Sequence, residues 1–418
     1  MNSQKSPLSA LLPFWLFVFL FKFAAGLHYT LMPVLGEKVA PIWVAGIVIA
    51  AASFLQLIFD VPAGFLLDRF GYVRVMRVST FVFLLGACVL LFHFSVFTYL
   101  LTIFLSLIGW LFFTSGINAY TLAEAPRTEG GRYMGIQHTF ASLGVVCASL
   151  LLIFIVHSST AVIGITLAII FLFAITALMS TRRDHTSLAE LQARHIHHGY
   201  YLHRHFIHKV VASMKRLDPP SVVLALQNLT GSIFYAMIWF VVPLVIAAQA
   251  STGVLAIGLS IFDLAVVILG AFLGKLADRY KKKLLVFMGL LLFSVMGILL
   301  GFNLNILFLL IGFLATTGDE MSSASLWSWL EWLDVGHQDD GLVSGAIVFF
   351  DDIGWTIGPL AAGFLFAAVG PSLTIAIGAL PILIAWLFST FFLRGKKEPE
   401  PVFTEGYSLK PIRHRHKK

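Results

Sequence analysis

The chain has 418 residues, of which 59% are hydrophobic and only 12% charged, against about 25% charge in an ordinary soluble domain. So apolar a chain cannot clothe a water-facing surface in polar groups, which excludes a soluble enzyme or a soluble nucleic-acid-binding domain. The net charge of +7 therefore has to be explained by where it lies.

In lipid every backbone polar group must be satisfied internally, so apolar runs of about 20 residues are expected to be helices. Twelve can be marked, at about 11–34, 41–67, 78–94, 96–123, 135–157, 159–181, 221–248, 252–277, 284–301, 304–332, 341–369 and 372–393. The first carries Lys22, His28 and Tyr29 and ends at Pro33. Lys5, the apolar stretch and Ala24-Ala25-Gly26 imitate a cleaved signal peptide, but the run is longer than a usual signal core. Cys88 and Cys147 lie inside apolar runs and are read as small core residues, with no structural disulfide expected. Lone histidines in the membrane, His28 and His138, are read as hydrogen-bonded packing residues.

Between the sixth and seventh runs lies a polar stretch, 182–220, with His185, His195, His197, His198, His203, His205 and His208. Leu188, Leu191, Ile196, Leu202, Phe206, Val210 and Met214 recur there at rough helical spacing, as in a cationic amphipathic helix lying on a membrane surface. Clustered imidazoles can ligate metal, but no cysteine accompanies them and the spacing fits no ordered site, so no metal is expected; pH-sensitive surface contact suits them better. The chain ends in a basic tail, 395–418. The expected division is a six-helix bundle over 1–181, the linker 182–220, a second six-helix bundle over 221–394, and the tail.

Of the 28 lysines and arginines, only Lys38 falls in an outward loop and Lys22 within a helix, if the N-terminus is cytoplasmic. That asymmetry is the positive-inside rule, and it predicts both termini and the 182–220 linker in the cytoplasm. The short inner loop 333–340 departs from it, with Asp334, Asp339 and Asp340.

A single offset of 210 residues superimposes the two halves. Asp68-Arg69 falls on Asp278-Arg279, Gly64 on Gly274, Pro33 on Pro243, and Glu124 on Asp334. Gly131, Gly135 and Gly144 fall on Gly341, Gly345 and Gly354. Repeated six-helix halves of like orientation are a transporter architecture.

After the second run the chain reads Asp60-Val-Pro62-Ala-Gly64-Phe-Leu-Leu-Asp68-Arg69-Phe-Gly71-Tyr-Val-Arg74, with a degenerate copy at Gly274-Lys-Leu-Ala-Asp278-Arg279-Tyr-Lys281-Lys282. This resembles the loop signature of the major facilitator superfamily between its second and third helices, and the likeness extends over the whole chain. It implies an all-α membrane fold of twelve helices in two pseudo-symmetric bundles. It also implies that Asp68 pairs with a basic group on another helix and caps a helix N-terminus. Gly64 would allow close helix approach, and Arg69 and Arg74 would bridge carboxylates or lipid phosphates. Such a cluster would latch the halves when the cytoplasmic side is closed. Tyr72-Val73 interrupts the basic run usual in the family. The Gly-Pro-x-x-Gly-Gly pattern of many drug antiporters is missing from the fifth helix, where the chain reads Gly144-Val-Val-Cys-Ala-Ser-Leu; Gly358-Pro359-Leu-Ala-Ala-Gly363 stands in the eleventh.

Lys22, Asp263, Asp319, Glu320, Asp351 and Asp352 lie well inside apolar runs. A charge at the bilayer centre costs roughly 2.5–3.5 kcal/mol, so six facing lipid would cost on the order of 15–20 kcal/mol. That exceeds the net stability of about 5–15 kcal/mol of a whole domain. These groups must face a watery cavity or one another. Asn228, Ser232, Tyr235 and Trp239 share one face of the seventh helix, and the offset places Lys22 and Tyr29 on the matching face of the first. Thr316, Glu320, Ser323 and Trp327 make a stripe on the tenth, so Glu320 rather than Asp319 is expected to reach the cavity. By resemblance, helices 1, 4, 7 and 10 line the cavity, with Asn118 and Thr121 offered by the fourth.

Burial disfavours the charged form of a carboxylate, so cavity acids suit proton coupling. No phosphate-binding loop and no nucleophile–base motif stands out, so neither a primary pump nor an enzyme is expected, and no cofactor. The expected function is proton-coupled secondary transport of a small solute across the cytoplasmic membrane by a monomer, with export slightly ahead of nutrient uptake. A non-transporting receptor or assembly partner on the same fold is the alternative of another class.

Overall fold

The computed structural model describes residues 11–124, 130–181, 218–248, 253–333 and 340–397. The histidines of the linker, the tail beyond Lys397, Asp334 and Asp339 lie outside these residues. Twelve helices and no strand are found among them: α1 Leu12–Glu37, α2 Ile42–Phe70, α3 Tyr72–Val89, α4 Val96–Glu124, α5 Gly130–Ile155, α6 Thr160–Ser180, α7 Pro219–Ala248, α8 Gly253–Arg279, α9 Lys282–Gly301, α10 Leu307–Leu333, α11 Asp340–Gly378 and α12 Leu380–Phe392.

Large apolar side chains such as Phe54, Phe104, Phe173, Phe272 and Ile384 are more than half exposed. A soluble surface would hide them; a bilayer receives them. Ten stretches are long and apolar enough to cross a membrane, the last running Phe349–Phe392 through both α11 and α12. Helix α10 is not among them, because Asp319 and Glu320 lower its mean hydropathy.

The last two runs are expected to separate near residues 370–371, and the chain turns there; the returning helix breaks once more at Ala379. Gly370, at φ 76°, takes the left-handed step that lets the chain reverse, and Pro371 starts the returning segment. Gly71 makes the corresponding one-residue corner between α2 and α3, at φ 88°, with its N–H on the Leu67 carbonyl at 2.9 Å.

The 210-residue repeat is physical as well as textual. A Cβ built on Gly144 of α5 would strike the Phe19 carbonyl, the Phe23 amide and Lys22 Cβ of α1. A Cβ on Gly354 of α11 would strike the Leu229 carbonyl, Ile233 amide and Ser232 Cβ of α7, each partner 210 residues on. The next turn repeats the contact with its members exchanged, Gly26 against Ala148 in one half and Ala236 against Gly358 in the other. Backbone-to-backbone packing at small residues fixes α1 on α5 and α7 on α11. Helices α1 and α7 are the most enclosed, and Pro33 and Pro243 lie inside them at matching places.

Candidate functional site

The described helices alternate in direction within each half, so α1 begins and α12 finishes at one end of the bundle, here the near end; the opposite is the far end. The halves are sealed at the far end. A Cβ on Gly46 of α2 would lie 2.6 Å from the Pro359 carbonyl and 3.0 Å from Gly363 Cα of α11. Beside it Trp43 stacks on Phe364 at 6.1 Å. Lower down, Tyr29 of α1 meets Trp355 of α11 edge-on at 5.8 Å, and Ser260 of α8 donates to the Val146 carbonyl of α5 at 3.3 Å.

Towards the near end the same α5 and α8 faces part. Gly135 lies two turns from Ser142, while Gly270 and Gly274 lie two and three turns from Asp263, so all three continue the contacting faces. Each would meet nothing within 4 Å if given a Cβ. His138 and Thr139 are exposed on that stretch of α5. A gap thus opens between the halves from the near end to mid-depth.

Lys22 and Asp263 lie within electrostatic reach of each other where the gap ends. Gly144 brings α1 against α5 at Lys22, and the Lys22 ammonium lies 4.3 Å from the centroid of the Trp110 ring of α4. Asp263, on the other half, attracts Lys22 across the interface and accepts from Ser142 of α5. His138 feels the same Lys22 charge. One cation is therefore shared by an indole face and a carboxylate of the opposite bundle.

The second cluster lies within the C-terminal half. Gln227 Nε2 donates to Asp319 Oδ1 at 2.8 Å and to its backbone carbonyl at 3.1 Å, and Tyr235 donates to Asp319 Oδ2 at 3.0 Å. Ser232 donates to Asp351 Oδ1 in a short bond. Glu320 and Asp351 both repel Asp319. Tyr235 is held in place by stacking on Phe293 at 5.5 Å and by Phe262 edge-on at 5.8 Å. Asp319 makes the hydrogen bonds to Gln227 and Tyr235 of α7, while Thr316, one turn before Glu320, also bonds Tyr235 and the Glu320 charge reaches it. Glu320 is half-buried beside Asp319, as is Asp352 beside Asp351. Gln227 was missed in the sequence: it lies one residue before Asn228, which is half-buried and takes no part in these bonds.

In the N-terminal half Gln137 Nε2 donates to Asn118 Oδ1 at 2.6 Å, and Thr121 donates to Gln137 Oε1 at 2.5 Å. Thr121 and Gln137 are fully enclosed while Asn118 is exposed, so the anchored amide presents its free Nδ2 outward. His28 is buried against Phe83 at 5.0 Å, as a packing residue, but neither ring nitrogen has a hydrogen-bond partner among the described residues, contrary to expectation. Cys88 and Cys147 are free.

The loop motif lies at the near end. Arg69, Arg74 and Arg279 are exposed, Arg69 lying over its neighbour Phe70 at 5.4 Å. The side chains of Asp60, Asp68 and Asp278 lie outside the described part, as do the surroundings of Gly64. At Gly274, its counterpart, no close helix approach is made.

A family model described as Major Facilitator Superfamily matches residues 14–332 and 224–416. Among solved structures the chain is similar to a POT family transporter in complex with 5-aminolevulinic acid, at 13% identity and TM-score 0.65 over 91% of this chain and 96% of that one. It is similar to the xylose transporter XylE from E. coli in a partially occluded inward-open conformation, at 14% identity and TM-score 0.65 over 92% and 99%. It is also similar to the E. coli fucose:proton symporter FucP, at 17% identity and TM-score 0.58 over 92% and 99%. At these identities the likeness shows the fold. No match is found among curated proteins.

Proposed function

The chain belongs to the major facilitator superfamily of membrane transporters, and from that premise we propose that it couples proton movement to the transport of a small cationic or zwitterionic solute by alternating access. The observation that carries this reading is the mid-depth acid cluster. Asp319, Glu320 and Asp351 gather on one half, and Lys22 reaches from the other half towards Asp263. Three carboxylates with no described cation among them leave an excess of negative charge in a low-dielectric setting. Such an excess is tolerated when protons or a cationic group enter. The similar solved structures support coupling, since one is a fucose:proton symporter.

Described basic residues crowd the near end, at Arg69, Arg74, Arg77, Lys275, Arg279, Lys281, Lys282, Lys283 and Arg394, whereas Lys38 lies at the far end. By the positive-inside rule the near end is cytoplasmic, both termini with it, and the described gap is that of an inward-open carrier in the cell membrane. The protein acts as a monomer in lipid. Export is favoured by the Asp60-x-Pro62-x-Gly64 opening of the loop motif; uptake is the second reading, favoured by the likeness to a sugar:proton symporter.

The test is reconstitution in liposomes under an imposed pH gradient, with proton flux followed as cationic, zwitterionic, anionic and neutral solutes are added. Solute-dependent proton movement that disappears in Asp319→Asn is expected. Transport indifferent both to the gradient and to neutralising the cavity acids would remove proton coupling. Loss of cellular function in Lys22→Gln and Glu320→Gln at normal membrane expression separates a carrier from a receptor that merely keeps the fold.

A further inference from the structure

Gln227 is 1% exposed, and only one side of its amide is used. Nε2 is committed to Asp319, while Oε1 is buried and has no hydrogen-bond partner among the described residues. Turning the amide over would not cure this. Oε1 would then face the carboxylate and carbonyl oxygens of Asp319, acceptor against acceptor. The bonding that exists also treats Asp319 as an acceptor on both oxygens, from Gln227 on one and Tyr235 on the other. What remains unsatisfied at this spot is oxygen lone pairs only: Gln227 Oε1 and the second lone pairs of the Asp319 carboxylate. They call for a hydrogen-bond donor or a cation, and the Asp319 charge favours the cation.

Size and charge narrow the choice. The orphan oxygen is enclosed, and across Asp319 the Tyr235 ring is held between Phe293 and Phe262. A bare ion fits there more readily than an organic ammonium. Hard oxygen donors select a hard cation over a soft transition metal. No group of three His, Cys, Asp or Glu able to hold a metal ion is found among the described residues, which disfavours a divalent ion that needs several charged ligands. A monovalent ion needs one carboxylate, with neutral oxygens completing its shell.

We propose that Asp319 and Gln227 Oε1, with the Tyr235 hydroxyl beside them, form a sodium-ion site in the C-terminal bundle. The site rests on the transporter reading for its role, since the ion would join α7 to α10 and serve as a coupling ion alongside protons. Asp319 supplies the charge, and Gln227 turns an unpaired amide oxygen into a ligand.

The experiment is equilibrium binding of radioactive sodium to the purified full-length protein, with unlabelled Na+, Li+ and K+ as competitors at constant ionic strength. One saturable site is expected, with K+ competing at least tenfold less well than Na+. Gln227→Met, which removes the oxygen, and Asp319→Asn, which removes the charge, should each raise the half-saturating Na+ concentration at least tenfold. Gln227→Asn, which withdraws the amide by one methylene, makes the same test where Gln227→Met does not fold. Absence of saturable binding to folded wild-type protein overturns the site outright. Saturable binding that survives unchanged in these variants overturns its location. Proton-driven solute flux that persists with K+ in place of Na+, in a protein that binds no Na+, removes the ion site and leaves the transporter reading standing. Na+ binding without any solute flux does the reverse.

Discussion

Gly46 offers a direct way to push the carrier out of the described state. A Cβ there would lie 2.6 Å from the Pro359 carbonyl and 3.0 Å from Gly363 Cα, where ordinary carbon contacts begin near 3.5 Å. Both obstacles are backbone, so no rotamer change relieves them. In Gly46→Leu, α2 and α11 must separate at the far end. Overpacking of this kind costs about 1–3 kcal/mol, and all of it falls on the state in which the far end is sealed. At 1.4 kcal/mol per tenfold, the population ratio between far-end-closed and far-end-open forms should shift by roughly 5-fold to 150-fold. The assay is a spin-label distance between cysteines at Gly135 and Gly274, which line the gap and have space around them, in a background with Cys88 and Cys147 replaced by alanine. The near-end distance should shorten in Gly46→Leu as the gap closes. A folded variant with an unchanged distance distribution would refute the claim that this contact holds the halves in the described state.

The crossings inside each half should behave differently. Gly144→Val and Gly354→Val each force α1 from α5 or α7 from α11, so both should lower thermal stability by about 1–3 kcal/mol without changing the near-end distance; a shifted distance at normal stability would contradict the rigid-half picture. Lys22→Met leaves Asp263 without the Lys22 charge and Asp263→Leu leaves Lys22 with the Trp110 and Phe113 rings. Thermal unfolding of the singles and the double should therefore reveal a favourable coupling of about 0.5–3 kcal/mol, and strictly additive effects would argue against the cross-half attraction.

Helix number and the two-half repeat were legible in the sequence because each leaves a one-dimensional trace: apolar length and a constant offset. The site was legible as a set of charges too costly to face lipid. Its pairing was not. Choosing between Asp319 and Glu320 requires the rotation of α10 to within less than the roughly 100° between neighbours; Asp319 takes the hydrogen bonds from α7, and the Thr316–Trp327 stripe meets the same helix through Thr316. Gln227 is neutral and carries no penalty that a hydropathy pattern would register, yet it makes two bonds to Asp319. Trp110 under Lys22 is one aromatic among many. The last reversal was legible because Gly370 and Pro371 mark it, and the chain turns at Gly370 with helix on both sides. The direction in which the gap opens depends on contacts between halves, which no local pattern encodes.

These contacts also say how the molecule should move. Within each half backbones touch at glycine, which has no alternative arrangement, whereas the contacts between halves are graded with depth. Glycine contact and ring stacking seal the far end, Ser260–Val146 and Lys22–Asp263 lie midway, and nothing bridges Gly135 to Gly270 or Gly274 within 4 Å. A rocking of two stiff bodies about the middle would keep the midway contacts and exchange the ends. Locking the far end should therefore arrest transport without disturbing either half. A Cβ on Gly363 would lie 3.1 Å from Trp43 Cα, which brings a cysteine pair at Trp43 and Gly363 within the Cβ–Cβ reach of about 3.5–4.5 Å that a disulfide needs. In the cysteine-free background, oxidation of Trp43→Cys/Gly363→Cys should cut solute flux at least tenfold, and reduction should restore it. Full flux through the oxidised, cross-linked protein would mean that the far end never opens there and that the described seal is not part of the transport cycle.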